Sequence, residues 1–73
     1  MQTSEIVRLQ QYLRDKLGTD RISLRIREKS EDSVEVHLAD EFIGVIYRDD
    51  DEGEISYAFH MTILEMDLPE DIR

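Results

Sequence analysis

The sequence predicts an α+β fold, with one N-terminal helix packed on one face of a four-stranded antiparallel meander in the order α-β-β-β-β. Apolar residues recur at three- and four-residue spacing over 4–17, and they alternate with polar residues over 21–28 and 33–39. Two further apolar stretches flank an acidic run at 49–54. The connections between the predicted strands are of hairpin length, which excludes parallel crossovers.

The predicted helix, residues 4–17, is apolar on one face only. The apolar positions are Ile6, Leu9, Leu13 and Leu17. Ser4 or Thr3 is the expected N-cap, and Gly18 suits the left-handed residue that ends a helix. This helix therefore needs an apolar surface to lie on.

The first hairpin is predicted from strict alternation in two strands, 21–28 and 33–39. The inward residues are Ile22, Leu24, Ile26, Val34, Val36 and Leu38. Arg25 and Arg27 are then expected to face Glu35 and His37 across the hairpin. Such cross-strand pairs contribute roughly 0.2–1 kcal/mol each, so they select the register more than they add stability.

The second hairpin is predicted to join a strand at Phe42–Arg48 to a strand at about 54–63. Pairing Tyr47 with Ile55 places an apolar set under the helix: Ile43, Val45, Tyr47, Ile55, Tyr57, Phe59 and Met61. The opposite, outer face then holds Phe42, Gly44, Ile46, Arg48, Ala58 and His60. Residues 64–68 either continue the last strand after a bulge or form a short helix, and Pro69 ends both options.

Size and composition limit the class of protein. The 73 residues form one small domain, 1–73. Without cysteine the chain has no disulfide or thiolate metal site, so a homodimer or another protein partner is expected to add stability. The N-terminus does not resemble a signal peptide, and no apolar stretch approaches the length of a membrane span. We therefore expect a soluble, cytoplasmic protein that does not bind a membrane.

The net charge of −9 is unevenly distributed. Residues 1–29 carry seven basic and four acidic side chains, and residues 30–73 carry two basic and fourteen acidic ones. An acidic chain is a poor nucleic-acid binder, because phosphate contacts supply most of that affinity. Either the basic first strand lies against acidic neighbours within the domain, or the acidic part meets a basic partner.

Five segments carry a family resemblance: IVRLQQYLR at 6–14, EVH at 35–37, DEFIGVIYRD at 40–49, GEISY at 53–57 and MTILEMDL at 61–68. Together they resemble a small bacterial family of about this length that is classed as a domain of unknown function. The resemblance covers nearly the whole chain. It implies a small cytoplasmic bacterial protein, and it carries over no catalytic residue.

The acidic run at 49–54 is the one candidate for ion binding. A calcium loop needs Gly at position 6 and Glu at position 12, but counting from Asp49 these positions are Glu54 and His60. We interpret the run as a hairpin loop with Gly53 at positive φ. A domain that responds to calcium or another metal through this loop remains the alternative hypothesis. His37 and His60 have no partner at ligand spacing, so no metal residue is assigned.

No pattern in the sequence indicates catalysis or a cofactor. There is no cysteine, no serine in a nucleophile elbow and no glycine-rich phosphate loop. The predicted function is therefore a protein-interaction or self-associating module. Its predicted partner-binding surface is the outer sheet face, with Phe42, Gly44, Ile46 and Ala58 as an apolar patch and Arg48 and His60 beside it. The alternative is that the C-terminal tail, with Leu64, Met66 and Leu68, folds back over this patch.

Overall fold

The computed structural model describes residues 1–71, which contain one helix followed by one sheet. The elements are α1 (Thr3–Leu17), β1 (Ile22–Ile26), β2 (Ser33–Leu38), β3 (Glu41–Asp49) and β4 (Ser56–Met61). The strands form an antiparallel sheet in chain order, β1-β2-β3-β4. This confirms the predicted α+β arrangement.

Helix α1 begins slightly earlier than predicted and ends where expected. Gln2 is the N-cap in place of Ser4 or Thr3, and its backbone N–H donates a 3.1 Å hydrogen bond to Glu5 Oε1. A carboxylate in the first turn satisfies a donor that the helix itself leaves unpaired. Gly18 ends the helix in the left-handed conformation, with φ 68°.

The core lies between α1 and the middle of the sheet. In residues 1–71, the buried hydrophobic side chains are Leu13, Ile22, Val34, Val36 and Ile46. Each contributes about 1.5–3 kcal/mol relative to remaining in water. This small core agrees with the limited surface that so short a chain is able to bury.

The first hairpin has the predicted faces and the predicted pairing of Arg25 with Glu35. The side chains of Arg25 and His37 nevertheless form polar contacts that differ from the predicted cross-strand pairs. Arg25 forms a 3.0 Å ion pair with Asp40, and His37 Nε2 lies 2.9 Å from Glu35 Oε1. Within residues 1–71, Arg25 is thus the basic side chain of this strand that pairs with an acid of its own domain, whereas Arg27 donates a 3.1 Å hydrogen bond to Ser33 Oγ.

The register predicted for the second hairpin is wrong. Tyr47 lies opposite Ala58, not Ile55, a displacement of three residues. The loop is longer than expected, because a 3₁₀ turn occupies Asp51–Gly53. Glu52 and Gly53 in it have φ of 65° and 79°, which confirms the positive φ predicted for Gly53. An odd displacement inverts one strand relative to the other. Strand β4 keeps its predicted faces, whereas residues 44–48 of β3 lie on the faces opposite to those predicted.

A β-bulge further alters the faces of β3. Between β2 and β3, Val36 pairs with Gly44 but His37 pairs with Phe42, so Ile43 is the extra residue. The bulge places Phe42 beside His37 on the outer face, with ring centroids 5.6 Å apart.

The chain after β4, residues 62–68, forms an arm that protrudes from the sheet. It contains a 3₁₀ turn at Glu65–Asp67, the short-helix alternative of the two that the sequence allowed. Its apolar side chains are exposed, Met66 to 85%. The radius of gyration of 14.1 Å exceeds the value of about 11 Å for a compact chain of this length.

No helix in residues 1–71 is long and apolar enough to cross a membrane.

Candidate functional site

The structure divides the predicted partner-binding residues between the two faces of the sheet. Phe42, Ala58 and His60 lie on the outer face, whereas Gly44, Ile46 and Arg48 lie on the side of α1. Ile46 is 2% exposed and belongs to the core. The predicted placement of Gly44, Ile46 and Arg48 is therefore wrong, because of the register and the bulge in β3.

The outer face nevertheless carries a different apolar surface. Tyr47 and His60 stack edge to face with ring centroids 5.2 Å apart, and Phe42 remains 53% exposed. Ile63 and Leu64 of the arm form the opposite wall of a shallow groove along β3 and β4. The arm thus borders this face and leaves much of it open.

On the other face, α1 covers β1 and β2 but leaves β4 open. A cleft of about 490 Å³ lies between the helix and β4. Its apolar lining consists of Leu9, Tyr12, Leu13, Ile46, Tyr57 and Phe59. Tyr12 and Phe59 are partly exposed in this cleft, so part of the predicted core is an accessible surface. We call it the helix–β4 cleft.

A polar cluster closes one end of the helix–β4 cleft. The Tyr57 hydroxyl donates a 2.6 Å hydrogen bond to Glu5 Oε2, and Arg48 Nε lies 3.0 Å from the same oxygen. The hydrogen bond from Tyr57, a second from the Gln2 backbone and the Arg48 charge hold the pKa of Glu5 below its ordinary value of 4.5. The bond to Glu5 and burial raise the pKa of Tyr57.

Gly44 allows β4 to approach β3 closely. A Cβ atom at this position would lie 2.6 Å from Cε1 of Phe59 and would also collide with the His60 carbonyl oxygen. The Phe59 ring therefore packs directly over the Gly44 backbone. Gly44 supports the site through this contact, a role different from the surface role predicted from the sequence.

The two edges of the sheet differ in how they are protected. At β1, the Leu24 N–H donates a 3.0 Å hydrogen bond to Gln10 Oε1, and Arg14 Nε donates a 2.8 Å hydrogen bond to the Ile22 carbonyl. Side chains of α1 thus occupy two backbone groups of this edge. Within residues 1–71, no side chain of α1 bonds to a backbone group of β4; the contact between Glu5 and Tyr57 is between side chains.

The backbone groups that β4 presents to solvent follow from the hydrogen-bond alternation of the sheet. The Arg48 N–H donates a 2.8 Å bond to the Asp32 carbonyl, so the Arg48 backbone points toward β2. Arg48 and Tyr57 therefore form a non-hydrogen-bonded pair, and the backbone N–H and C=O groups of Tyr57 point away from β3. The backbone groups of Phe59 and Met61 point the same way. Within residues 1–71, the outward N–H and C=O groups of these three residues have no hydrogen-bond partner and form a row of free donors and acceptors at the edge.

The composition of β4 indicates an unprotected edge, although the alternation of apolar and polar residues does not reveal it. Residues 56–61 include no Asp, Glu, Lys or Arg, although 37% of the chain is charged. Edge strands are usually protected from pairing by charged side chains, proline or bulges. An uncharged strand at the end of a meander therefore indicates an edge that is open to pairing.

The acidic loop uses part of its charge locally. Asp49 Oδ1 accepts a 2.9 Å hydrogen bond from the Asp51 N–H, and Asp50 lies 3.5 Å from Arg48. In the described part of the chain, no group of three or more His, Asp or Glu side chains is arranged to hold a metal ion.

Comparison with known proteins identifies a family to which the chain is similar over most of its length. The sequence profile of one family, described as "Protein of unknown function (DUF3126)", matches residues 5–67. The chain belongs to this family. The DUF3126 match runs from the first turn of α1 into the arm, so it includes both sheet edges and the helix–β4 cleft. It confirms the resemblance to a small domain of unknown function. No curated protein and no solved structure matches the chain.

Proposed function

We propose that this DUF3126 protein is a protein-interaction module that binds an extended segment of a partner as an additional strand on β4. The observation that carries the proposal is the asymmetry of the sheet edges. Gln10 and Arg14 bond to backbone groups of the β1 edge, while the outward backbone groups of β4 have no hydrogen-bond partner within the described residues, 1–71. Addition of a strand to an exposed sheet edge is a recurring mode of peptide recognition.

The side chains around β4 suit an added strand. Tyr57 and Phe59 line the helix–β4 cleft and are partly exposed, and Met61 lies on the same face of β4 and is also exposed. Ala58 and His60 point to the outer face. A fifth strand would bury apolar surface on both sides of β4. Main-chain hydrogen bonds supply affinity in this mode, and the pockets for alternate side chains supply specificity.

The expected affinity is moderate. Three residues of β4 each offer one N–H and one C=O to the partner, and each net hydrogen bond contributes about 0.5–1.5 kcal/mol. Ordering an extended segment opposes this gain. We therefore expect dissociation constants around the micromolar range, which corresponds to about −8 kcal/mol. In this proposal the chain acts by binding in the bacterial cytoplasm, carries out no reaction and needs no cofactor.

The proposal is tested by selecting random peptides displayed on phage against the full chain. Bound peptides are then measured with Met61→Pro and its matched control Met61→Ala. Both variants remove the Met61 side chain, but only proline removes the outward N–H. We expect Met61→Pro to weaken binding at least tenfold relative to Met61→Ala. Equal binding by both variants, or no selected peptide, contradicts strand addition at β4.

A further inference from the structure

We infer that the partner segment is basic at both ends, with Lys or Arg flanking a core in which apolar residues alternate. This inference rests on the proposed function and specifies its ligand. It follows from the charges at the two ends of β4, the opening of the helix–β4 cleft and the poor fit of a second copy of the chain.

The uncharged stretch of β4 lies between two acidic regions. Five carboxylates precede it in residues 49–54, and Glu65 and Asp67 follow it in the arm. Within residues 1–71, Asp50 is the loop carboxylate that forms an ion pair, with Arg48. The side chains of Asp51, Glu52 and Glu54 are exposed and are not paired with a cation of the described chain. A segment on β4 therefore ends near negative charge at both of its termini.

The core of the segment is defined by the two faces of β4. On the side of α1, alternate residues enter the apolar helix–β4 cleft of about 490 Å³, so we expect Val, Ile, Leu or an aromatic residue there. On the outer side, the neighbours are Ala58 and His60, which suit small or polar residues. Strand β1 of this same domain has the composition that we infer, with alternating apolar residues between Arg21 and Lys29.

A second copy is a less suitable occupant of the edge. Antiparallel pairing of β4 with β4 of another copy would bring the acidic loop of one chain near Glu65 and Asp67 of the other. Each chain also carries a net charge of −9, so the two copies repel each other. Pairing of β4 with β1 of another copy is disfavoured, because it would have to displace the bonds of Gln10 and Arg14 to two backbone groups of the β1 edge.

The test uses the residue composition of the selected peptides. We expect Lys and Arg to be enriched at both ends of an alternating apolar core. Fluorescence anisotropy of a selected peptide should show binding that weakens roughly tenfold or more between 0.05 and 0.5 M salt, because screening shortens the range of the attraction. Enrichment without basic ends, with binding that still depends on the Met61 N–H, overturns this inference and leaves the proposed function standing.

The loop variant Asp51→Asn/Glu52→Gln/Glu54→Gln tests the source of the charge effect. It should weaken binding of the selected basic peptide by about three- to tenfold, since three exposed charges near the segment are removed. Unchanged binding by this variant overturns the inferred contact.

The matched control for charge is Asp15→Asn/Asp20→Asn/Glu28→Gln, which removes three acids from α1 and from the residues flanking β1, on the far side of the sheet. The dissociation constant of this control variant should stay within about twofold of the wild-type value, because these positions lie away from β4. Equal weakening by control and loop variants means that overall charge alone sets affinity, and this overturns the inference. Sedimentation that finds a stable dimer, with β4 amides protected in it, also overturns it in favour of a second copy.

Discussion

Tyr57 in β4 donates a 2.6 Å hydrogen bond to Glu5 in the first turn of α1, across 52 positions of the chain. Arg48 contributes a 3.0 Å ion pair to the same carboxylate. These contacts connect the start of the helix to the last strand at one end of the helix–β4 cleft. The cleft therefore keeps its shape although α1 does not cover β4.

The Glu5 contact predicts a specific dependence of stability on pH. Because the pKa of Glu5 is lowered by folding, its contribution is present above the ordinary value of 4.5 and is lost as the pH falls through the folded-state pKa. Glu5→Gln should therefore be less stable than the wild type at pH 7, and the difference should close as the pH falls below about 4.5. Urea unfolding from pH 7 to pH 3 measures this difference.

Glu52→Gln is the matched control for that series, because Glu52 lies exposed in the loop before β4. This control should follow the wild type at every pH. If Glu5→Gln lowers the free energy of unfolding by the same amount at pH 3 and pH 7, the carboxylate charge does not act through Tyr57 and Arg48.

The register of β3 and β4 is tested by two neighbouring substitutions. Ile46→Asp places a charge in the core and should unfold the domain, since an unpaired buried charge costs several kcal/mol and a core of this size supplies about 3–5 kcal/mol. Tyr47→Asp changes the exposed outer face and should cost about 1 kcal/mol or less. Circular dichroism and urea unfolding distinguish the two. The register with Tyr47 opposite Ile55 predicts the reverse order of damage.

The sequence was sufficient for α1 and the first hairpin, because their apolar residues follow one period strictly. It was not sufficient for the second hairpin. Ile43, Val45, Ile46 and Tyr47 make β3 apolar on both faces, so the pattern does not select the face that is buried. The left-handed Glu52 and the bulge at Ile43 also depend on local backbone choices that composition does not reveal.

The candidate site was predicted only in part for a similar reason. The central hairpin was identified as the binding element, and Phe42, Ala58 and His60 do lie on its outer face. The difference between the two sheet edges depends on Gln10 and Arg14 reaching β1 from the helix. Such side-chain contacts between elements follow from the packing angle of the helix, which periodicity does not specify.

Gly44→Ala should destabilise β4 selectively. The added Cβ would lie 2.6 Å from the Phe59 ring and would meet the His60 carbonyl, and forced overpacking costs typically about 1–3 kcal/mol. Amide exchange at Ala58 and His60 should accelerate, because these residues bond to β3. Gly18→Ala is the control. It has open space around the new methyl group and should lose stability through its backbone conformation without faster exchange in β4. Unaltered exchange in Gly44→Ala contradicts the close approach of the two strands.

Gln10→Ala should expose the β1 edge. The Leu24 N–H loses its 3.0 Å bond, and an unsatisfied, partly buried donor costs about 1–3 kcal/mol. The variant should also associate as its concentration rises, because a second edge becomes free. Gln11→Ala removes the neighbouring glutamine, which bonds to Asp15 on the exposed helix face, and should cost about 0.5 kcal/mol or less. If both variants are equally stable and monomeric, Gln10 does not protect the edge.

Amide hydrogen exchange of the full chain, recorded with and without a selected peptide, tests the docking of a strand on β4 most directly. In the free chain, the N–H groups of Tyr57, Phe59 and Met61 should exchange faster than those of Ala58 and His60, which point toward β3. Addition of the peptide should protect Tyr57, Phe59 and Met61. Unchanged exchange at these three residues, with protection confined to the outer face around Phe42, would contradict the account.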